Sequence, residues 1–484
     1  MNTENSCTSM LNTVIRERLR IASAFFSVCS LLLFSFAAEG VPQKPNVLFI
    51  AVDDLNTRLG CYGFDRISSP HIDKLASEGV RFDRAYCQYP SCGPSRSSVL
   101  SGLRPHTTGM INNRMSFREL APDVVTLPQL FRKNGYFVAR IGKIFHQRVP
   151  LDIGTAGADD PVSWTHTVNP IGRDRDEEHM LTNHSPQLTV ADAMAFLKAE
   201  GTDEEQTDGK VATETIRLLE THKDEPFFIA AGFYRPHAPY IAPKEYFDHY
   251  SLENTQVPRL PKDYRDTVPP GALSSTPQWP NFGTTEEQAR ETILAYDACI
   301  SFVDAQVGRV LDALDALGLS QSTIVVLWGD HGYHLGEHGL WRKNSLFEES
   351  ARAPLIFRVP GLTPATSDCE SIVEFVDIYP TLADLAGLMP PSELEGVSLR
   401  TLLEDPQAEW SRPAFTQTLY VDTPGYSVRT DRWRYTEWGQ HGDQGIELYD
   451  HLSDPREMKN LAGIHQHTEI RERLSQLVRS NWGE

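Results

Sequence analysis

Four short, mostly apolar runs stand out along this chain, at residues 46–52 (NVLFIAV), 136–141 (YFVARI), 227–233 (FFIAAGF) and 323–328 (TIVVLW). Runs of this length without polar alternation predict strands buried on both faces. Between them the period changes to that of a helix. Ser69-Pro70 opens a predicted helix through Glu78, with the serine as N-cap and the proline in the first turn. Residues 286–317 predict a long amphipathic helix, with Ile293, Tyr296, Ile300, Val303, Val307, Val310 and Leu314 on one face. Strands alternating with helices predict an α/β fold with a largely parallel sheet. The proline-rich stretch 258–280 predicts a long surface loop near the cleft.

From about Arg412 the pattern changes. Residues 414–421, 426–429 and 433–438 predict short antiparallel strands. Glu447-Leu448-Tyr449-Asp450 and Asp454-Pro455 follow, and residues 469–480 predict a closing helix. The expected organisation is a main domain over 44–405 and a small α+β subdomain over 412–484.

All four core strands run directly into chemistry. The first ends in Asp53-Asp54. The second ends in Gly142-Lys143, with His146 three residues on. The third leads to Arg235-Pro236-His237, and the fourth to Asp330-His331-Gly332. In open α/β sheets ligands bind beyond the carboxyl ends of strands, so four such junctions point to one shared site. Asp53, Asp54 and Asp330 are hard oxygen donors suited to Ca²⁺ or Mg²⁺. Taken singly they are more often capping or turn residues. His146 and His237 titrate in the range useful for proton transfer. Lys143 and Lys343 are candidates to bind an anion and screen its charge.

The formal net charge of −20 argues against nucleic acid as a partner, because phosphate backbones demand basic surfaces. A small anionic substrate stays compatible, since a local cationic cluster reverses the field inside a cleft. Arg16, Arg18 and Arg20 precede an apolar run over 21–36, and Ser35 and Ala37 suit a small-x-small cleavage site. The expected product is an exported chain, periplasmic or secreted, with residues 1–37 removed and no other tie to a membrane. Five of the seven cysteines follow that segment: Cys61, Cys87, Cys92, Cys299 and Cys369. Apart from Cys92, they could pair or be buried thiols.

Cys92-Gly93-Pro94-Ser95-Arg96, continued by Leu100-Ser101-Gly102, reads C-x-P-S-R-x-x-x-L-S-G. A lone cysteine is most often a small buried hydrophobe. This pattern, however, resembles the signature of the type I sulfatases. In those enzymes the cysteine is oxidised after synthesis to Cα-formylglycine, whose hydrate is a nucleophile with a built-in release step. Further segments resemble the iduronate-2-sulfatase group within that family: PNVLFIAVDDLNTRLGCYG, GKIFH, YRPHAPY, FVDAQVGR, DHGYHLGEHGLWRKNSLFEES, GYSVR and WRYTEW. The resemblance spans about residues 45–461.

The resemblance implies the alkaline phosphatase-like α/β sandwich with a small C-terminal subdomain. It implies that Asp53, Asp54, Asp330, His331 and the modified Cys92 hold one Ca²⁺. It implies that Arg96, Lys143, His146, His237 and Lys343 bind sulfate and move protons. It also implies a formylglycine-generating enzyme as a maturation partner and a sulfated carbohydrate as substrate, with uronate 2-O-sulfate first in line. Two positions depart from the commonest sulfatase pattern. Asp330-His331-Gly332 stands where many have Asp-Asn-Gly, and Lys143 and His146 are one residue further apart than in Lys-x-His. Both variants fit the iduronate-2-sulfatase group. A phosphodiester or phosphonate ester hydrolase of the same superfamily is the competing expectation. Desulfation of another sulfated polysaccharide is a second, and a glycan-binding protein with an unmodified Cys92 is a third. The single sequon, Asn183-His184-Ser185, favours a bacterial exported enzyme over a lysosomal one.

Overall fold

Strand β1 (Asn46–Val52) is buried at every position because it has an apolar layer on each side. Leu48, Ile50 and Val52 pack into one layer, and Val47, Phe49 and Ala51 into the other. That two-sided burial is why its sequence shows no alternation. The computed structural model describes residues 44–420 and 423–482. The expected export segment, residues 1–37, lies outside them.

Seven further strands complete the central sheet: β2 (Val80–Tyr86), β3 (Phe137–Gly142), β4 (His166–Val168), β5 (Phe227–Phe233), β6 (Thr323–Gly329), β7 (Leu355–Arg358) and β8 (Ser367–Glu374). Their order is β8-β2-β7-β6-β1-β5-β3-β4. All run parallel except β7, which is antiparallel to both of its neighbours. The four strands legible from sequence lie side by side at the centre, as β6-β1-β5-β3.

Helices cover both faces. Against one lie α1 (Pro70–Ser77), α4 (Thr207–His222) and α5 (Glu286–Ala316). Against the other lie α2 (Cys92–Ser101), α3 (Leu127–Lys133) and α6 (Ile378–Leu385). Helix α5 begins where its sequence signals it. Thr285 accepts from the Gln288 amide, and the Gln288 side chain accepts from the Thr285 amide. Helix α1 is held differently from expectation. Ser69 sits at the N-cap position, but its hydroxyl donates to Asp73 and accepts from the Gly60 amide. The free amides of His71 and Ile72 donate instead to the Asp304 carboxylate of α5, at 3.2 and 2.7 Å.

A separate four-stranded antiparallel sheet forms the small C-terminal domain: β9 (Ala414–Tyr420), β10 (Thr423–Arg429), β11 (Trp433–Trp438) and β12 (Gly445–Asp450). The closing helix α7 (Thr468–Trp482) packs Leu474 and Val478 against Val428, Tyr435 and Leu448. The 258–280 stretch is not the surface loop its prolines suggested. Tyr264, Val268, Ala272 and Leu273 are buried against Trp438 and Tyr449 of this sheet. The stretch is irregular yet contributes to a core, because its apolar residues have an apolar partner surface. Among the described residues no helix is long and apolar enough to cross a membrane.

Candidate active site

The four core strands deliver their terminal residues to one place beyond the carboxyl edge of the sheet. Asp53 and Asp54 follow β1, Lys143 follows β3, and Asp330 and His331 follow β6. The amide of Asp54 donates to Asp330 Oδ1 at 2.9 Å, which ties two of these ends together. Cys92 enters as the first residue of α2, a helix whose ten residues are all buried. Ser91 does not cap that helix with its own side chain. Asn113 does so from outside, with Oδ1 accepting from the Gly93 amide at 2.7 Å and from the Ser91 hydroxyl at 3.1 Å.

Arg96 lies one turn after Cys92 on the same face. Its Nε donates to Asp330 Oδ2 at 2.8 Å and its Nη2 to Asp53 Oδ1 at 3.0 Å. Nη1 donates to the carbonyls of Lys143 and Ile144, at 2.7 and 3.1 Å. One guanidinium thus joins three strand ends. Lys143 donates to Asp53, and Lys343 to Asp54. Lys343 Nζ also stands 3.2 Å from Cys92 Sγ, and His331 Nε2 stands 3.4 Å from it. His331 Nε2 faces Asp54 Oδ1 at 3.4 Å and Asp330 Oδ2 at 3.6 Å. His237 Nε2 lies 3.7 Å from Asp54 Oδ2, and its Nδ1 donates to the Ala238 carbonyl at 2.6 Å. His146 is buried with no partner on either ring nitrogen among the described residues.

All ten residues singled out from the sequence are buried, and nine of them meet through these contacts. His146 is placed with them by its environment, since Lys143, Asp53, Arg96 and Lys343 all act on its charge. Three carboxylates face three cations, with a cysteine between them. Burial alone would raise the Asp53 carboxyl. Lys143, Arg96 and Lys343 outweigh it and hold the group well below the usual carboxylate range. Asp54 goes the other way, pushed up to about 7 by burial, with Cys92 and Asp53 adding to it against Lys343. Burial would raise the Cys92 thiol too, but Lys143 and Lys343 hold it below its ordinary value. Burial, reinforced by Lys143, takes His146 down to about 3, and burial with Lys343 takes His237 well below the ordinary range. Both imidazoles are therefore neutral. His331 is raised to about 9, because Asp330 outweighs the burial that would lower it.

Two overlapping donor sets are built here. Asp53, Asp54, Cys92 and His237 form one, and Asp54, Cys92, Asp330 and His331 the other. In each set the donor atoms lie within 4.8 Å of one another. Each set pairs two carboxylates with the cysteine and an imidazole, and the carboxylate oxygens are the hard donors an alkaline-earth cation takes. With His331 Nδ1–H committed to the Gly332 carbonyl at 2.9 Å, Nε2 is the nitrogen free to face such an ion. The residues present fit a divalent cation.

Asn113 and Ser95 were not legible as site residues. Ser95 donates through its hydroxyl to the Asp330 carbonyl, and as part of C-x-P-S-R it carried a signal that could have been used. Asn113 carries none, being 21 residues from Cys92 in an irregular segment. The remaining cysteines, Cys61, Cys87, Cys299 and Cys369, are free thiols, all but Cys61 fully buried.

Known proteins resemble this chain over most of its length. The family described as Sulfatase matches residues 45–388, and N-sulphoglucosamine sulphohydrolase, C-terminal, matches residues 336–482. A sulfatase of Formosa agariphila is 36% identical over 436 residues, covering 87% of this chain and 83% of its own length. Iduronate 2-sulfatase of Homo sapiens is 32% identical over 540 residues, covering 92% and 96%. A solved 2-O GAG sulfatase superposes with a TM-score of 0.71 at 26% identity, covering 91% of this chain and 93% of its own. A phosphonate monoester hydrolase from Silicibacter pomeroyi superposes at 0.75 with 21% identity, covering 90% and 95%, which is a likeness of fold.

The chain belongs to the sulfatase family and has its alkaline phosphatase-like fold. It is a sulfate ester hydrolase of the group that includes iduronate 2-sulfatase and bacterial homologues.

Proposed function

We propose that this enzyme removes a 2-O-sulfate from a uronate in a sulfated glycan, using a formylglycine made from Cys92 and one Ca²⁺. The observation that carries this reading is the convergence of Cys92 with Asp53, Asp54, Asp330, Lys143, Lys343 and Arg96 in one buried cluster. The relatives named for iduronate 2-sulfate and 2-O GAG chemistry support the choice of sugar position.

Asp53, Asp54, Asp330, His331 and residue 92 would hold the ion, which when bound supplies positive charge against the sulfate oxygens as sulfur is transferred. The hydrated aldehyde supplies two hydroxyls on one carbon, one to attack sulfur and one to expel the sulfate afterwards. The remaining roles fall to the chain's own side chains. Lys343, 3.2 Å from Cys92 Sγ, holds the sulfate beside the nucleophile and screens its charge. Lys143 does the same from the β3 side. Arg96 fixes Asp53 and Asp330 relative to one another, which preorganises the carboxylates. His237, its Nδ1–H committed to Ala238, presents the Nε2 lone pair and takes the proton that regenerates the aldehyde. His146, neutral and with neither ring nitrogen partnered among the described residues, steadies the leaving sugar oxygen through a ring N–H hydrogen bond as that oxygen takes a proton from solvent.

In this reading residues 1–37 direct export to the periplasm or beyond, and a formylglycine-generating enzyme acts on Cys92 during maturation. Residues 44–405 form the catalytic domain and 412–484 the C-terminal subdomain. The test is sulfate release by co-expressed, modified enzyme beside Cys92→Ala. Its panel holds 2-O-sulfated uronate disaccharides, sulfated fucans, choline sulfate, a phosphodiester and a phosphonate monoester. Release from the uronate disaccharides, lost in the variant, is the expected result. A preference for the phosphorus esters would replace the reading, and release only from the fucans would move it to another polysaccharide.

A further inference from the structure

A cleft of about 1130 Å³ is lined by none of the ten residues described above. Its walls carry five arginines: Arg58, Arg66, Arg259, Arg290 and Arg456. That concentration is out of keeping with a chain of net charge −20. Four carboxylates share the walls, and two of them are already engaged. Asp297 takes Arg58 through paired bonds of 3.1 and 3.0 Å, and Glu286 takes Arg290 at 2.6 Å. Three guanidiniums stay uncommitted to any carboxylate. Arg66 donates only to the Asn254 carbonyl, at 2.9 Å. Arg259 and Arg456, both exposed, enter no ion pair or hydrogen bond among the described residues.

The cleft adjoins two segments that carry active-site residues. Arg58 and Arg66 belong to the segment that Asp53 and Asp54 open. Val257 and Pro258 line the cleft and pack on Gly336, where a Cβ would meet them at 3.4 and 3.0 Å. Gly336 starts the stretch that ends at Lys343. Arginine's planar fork suits sulfate and carboxylate oxygens, and no lysine lines the walls.

We infer that this cleft is a distal subsite for an anionic glycan, in which Arg66, Arg259 and Arg456 bind sulfate or carboxylate groups on sugars remote from the bond being hydrolysed. The inference rests on the reading of the enzyme as a glycan sulfatase. It makes the enzyme one that engages chains longer than a disaccharide, with the volume of the cleft suited to several sugar rings.

The experiment uses full-length, formylglycine-bearing enzyme and the double variant Arg259→Ala/Arg456→Ala. Both positions are exposed, so the fold is retained. Two substrates carry the same terminal 2-O-sulfated uronate, one a disaccharide and one an octasaccharide. The ratio of kcat/KM for the octasaccharide to that for the disaccharide falls about ten-fold in the variant, through KM. An unchanged ratio overturns the inference. Titration of the octasaccharide into Cys92→Ala protein, with and without the arginine pair, separates this from the catalytic reading. Weaker binding with a shallower salt dependence on losing the arginines supports the subsite even if no sulfate is released by any form. Equal binding overturns it even if the enzyme is active.

Discussion

Arg96 shows how much one side chain carries. It is fully buried and donates to two carboxylates and two backbone carbonyls. Removing one partner from a buried ion pair leaves charge without compensation, at about 3–5 kcal/mol. Arg96→Ala is therefore expected to lower unfolding stability by about that amount in urea titrations. Arg96→Lys restores charge but not the fork. It is expected to regain part of the stability while sulfate release stays at least about a hundred-fold down. Equal stability of Arg96→Ala and the parent would contradict the structure. Asp304 offers a second case at this scale. Burial pushes its carboxyl up to about 7 even though two amides donate to it. A carboxyl raised in the folded state binds its proton more tightly there than when unfolded. Its contribution to stability is therefore full below about 3.8 and is lost as pH rises toward 7. Asp304→Asn is expected to flatten that part of the stability-against-pH curve. A curve of unchanged slope would show that the group is ionised throughout.

At the scale of elements, the loop bearing Lys343 is fastened to the C-terminal sheet. Glu348 receives Arg434 from β11 and the Tyr86 hydroxyl from β2, the latter at 2.9 Å. The Glu348 amide donates to Glu457 at 2.8 Å, and Glu457 also receives His451 at 2.7 Å. Arg434 is buried between the two glutamates. Arg429, 3.5 Å away, and Arg434 hold Glu348 well below the usual carboxylate range despite its burial. Arg434→Leu takes the shared guanidinium from two buried carboxylates, leaving Glu348 with Arg429 and Tyr86 and Glu457 with His451. It is expected to cost about 3–5 kcal/mol and to lower kcat more than it raises KM, because Lys343 loses its anchor. A stability loss with unchanged kcat would show that the fastening does not reach Lys343.

Legibility in the sequence also divides by element. The central strands could be read because burial on both faces leaves a continuous apolar run. Strand β3 was readable even with Arg140 inside it, since that guanidinium pairs with Asp159 at 2.7 Å and Asn169 at 2.8 Å. Strands β2 (VRFDRAY) and β8 (SDCESIVE) could not be read, because charged residues on partly exposed positions break the run. Strand β7 has only four residues and β4 three, too short for any periodicity. The site was legible because strand ends and one motif carried it. The parts that were missed depend on distant contacts: Asn113 capping the Cys92 helix, and Asp304 capping α1.

At the scale of the whole molecule, the proposed chemistry places a divalent cation among the three converging carboxylates. Exhaustive chelation is expected to abolish sulfate release and to lower Tm, and Ca²⁺ is expected to restore both. A chelated enzyme with full activity would remove the metal from the account. The modification of Cys92 stands closer still to the central claim. The decisive measurement is the rate of sulfate release from a 2-O-sulfated uronate disaccharide, plotted against the fraction of residue 92 carrying the aldehyde. That fraction is read by mass spectrometry on protein made with graded amounts of a formylglycine-generating enzyme. The account predicts a straight line through the origin, with unmodified protein inactive. Release that does not depend on the modified fraction would contradict it, as would full modification without release.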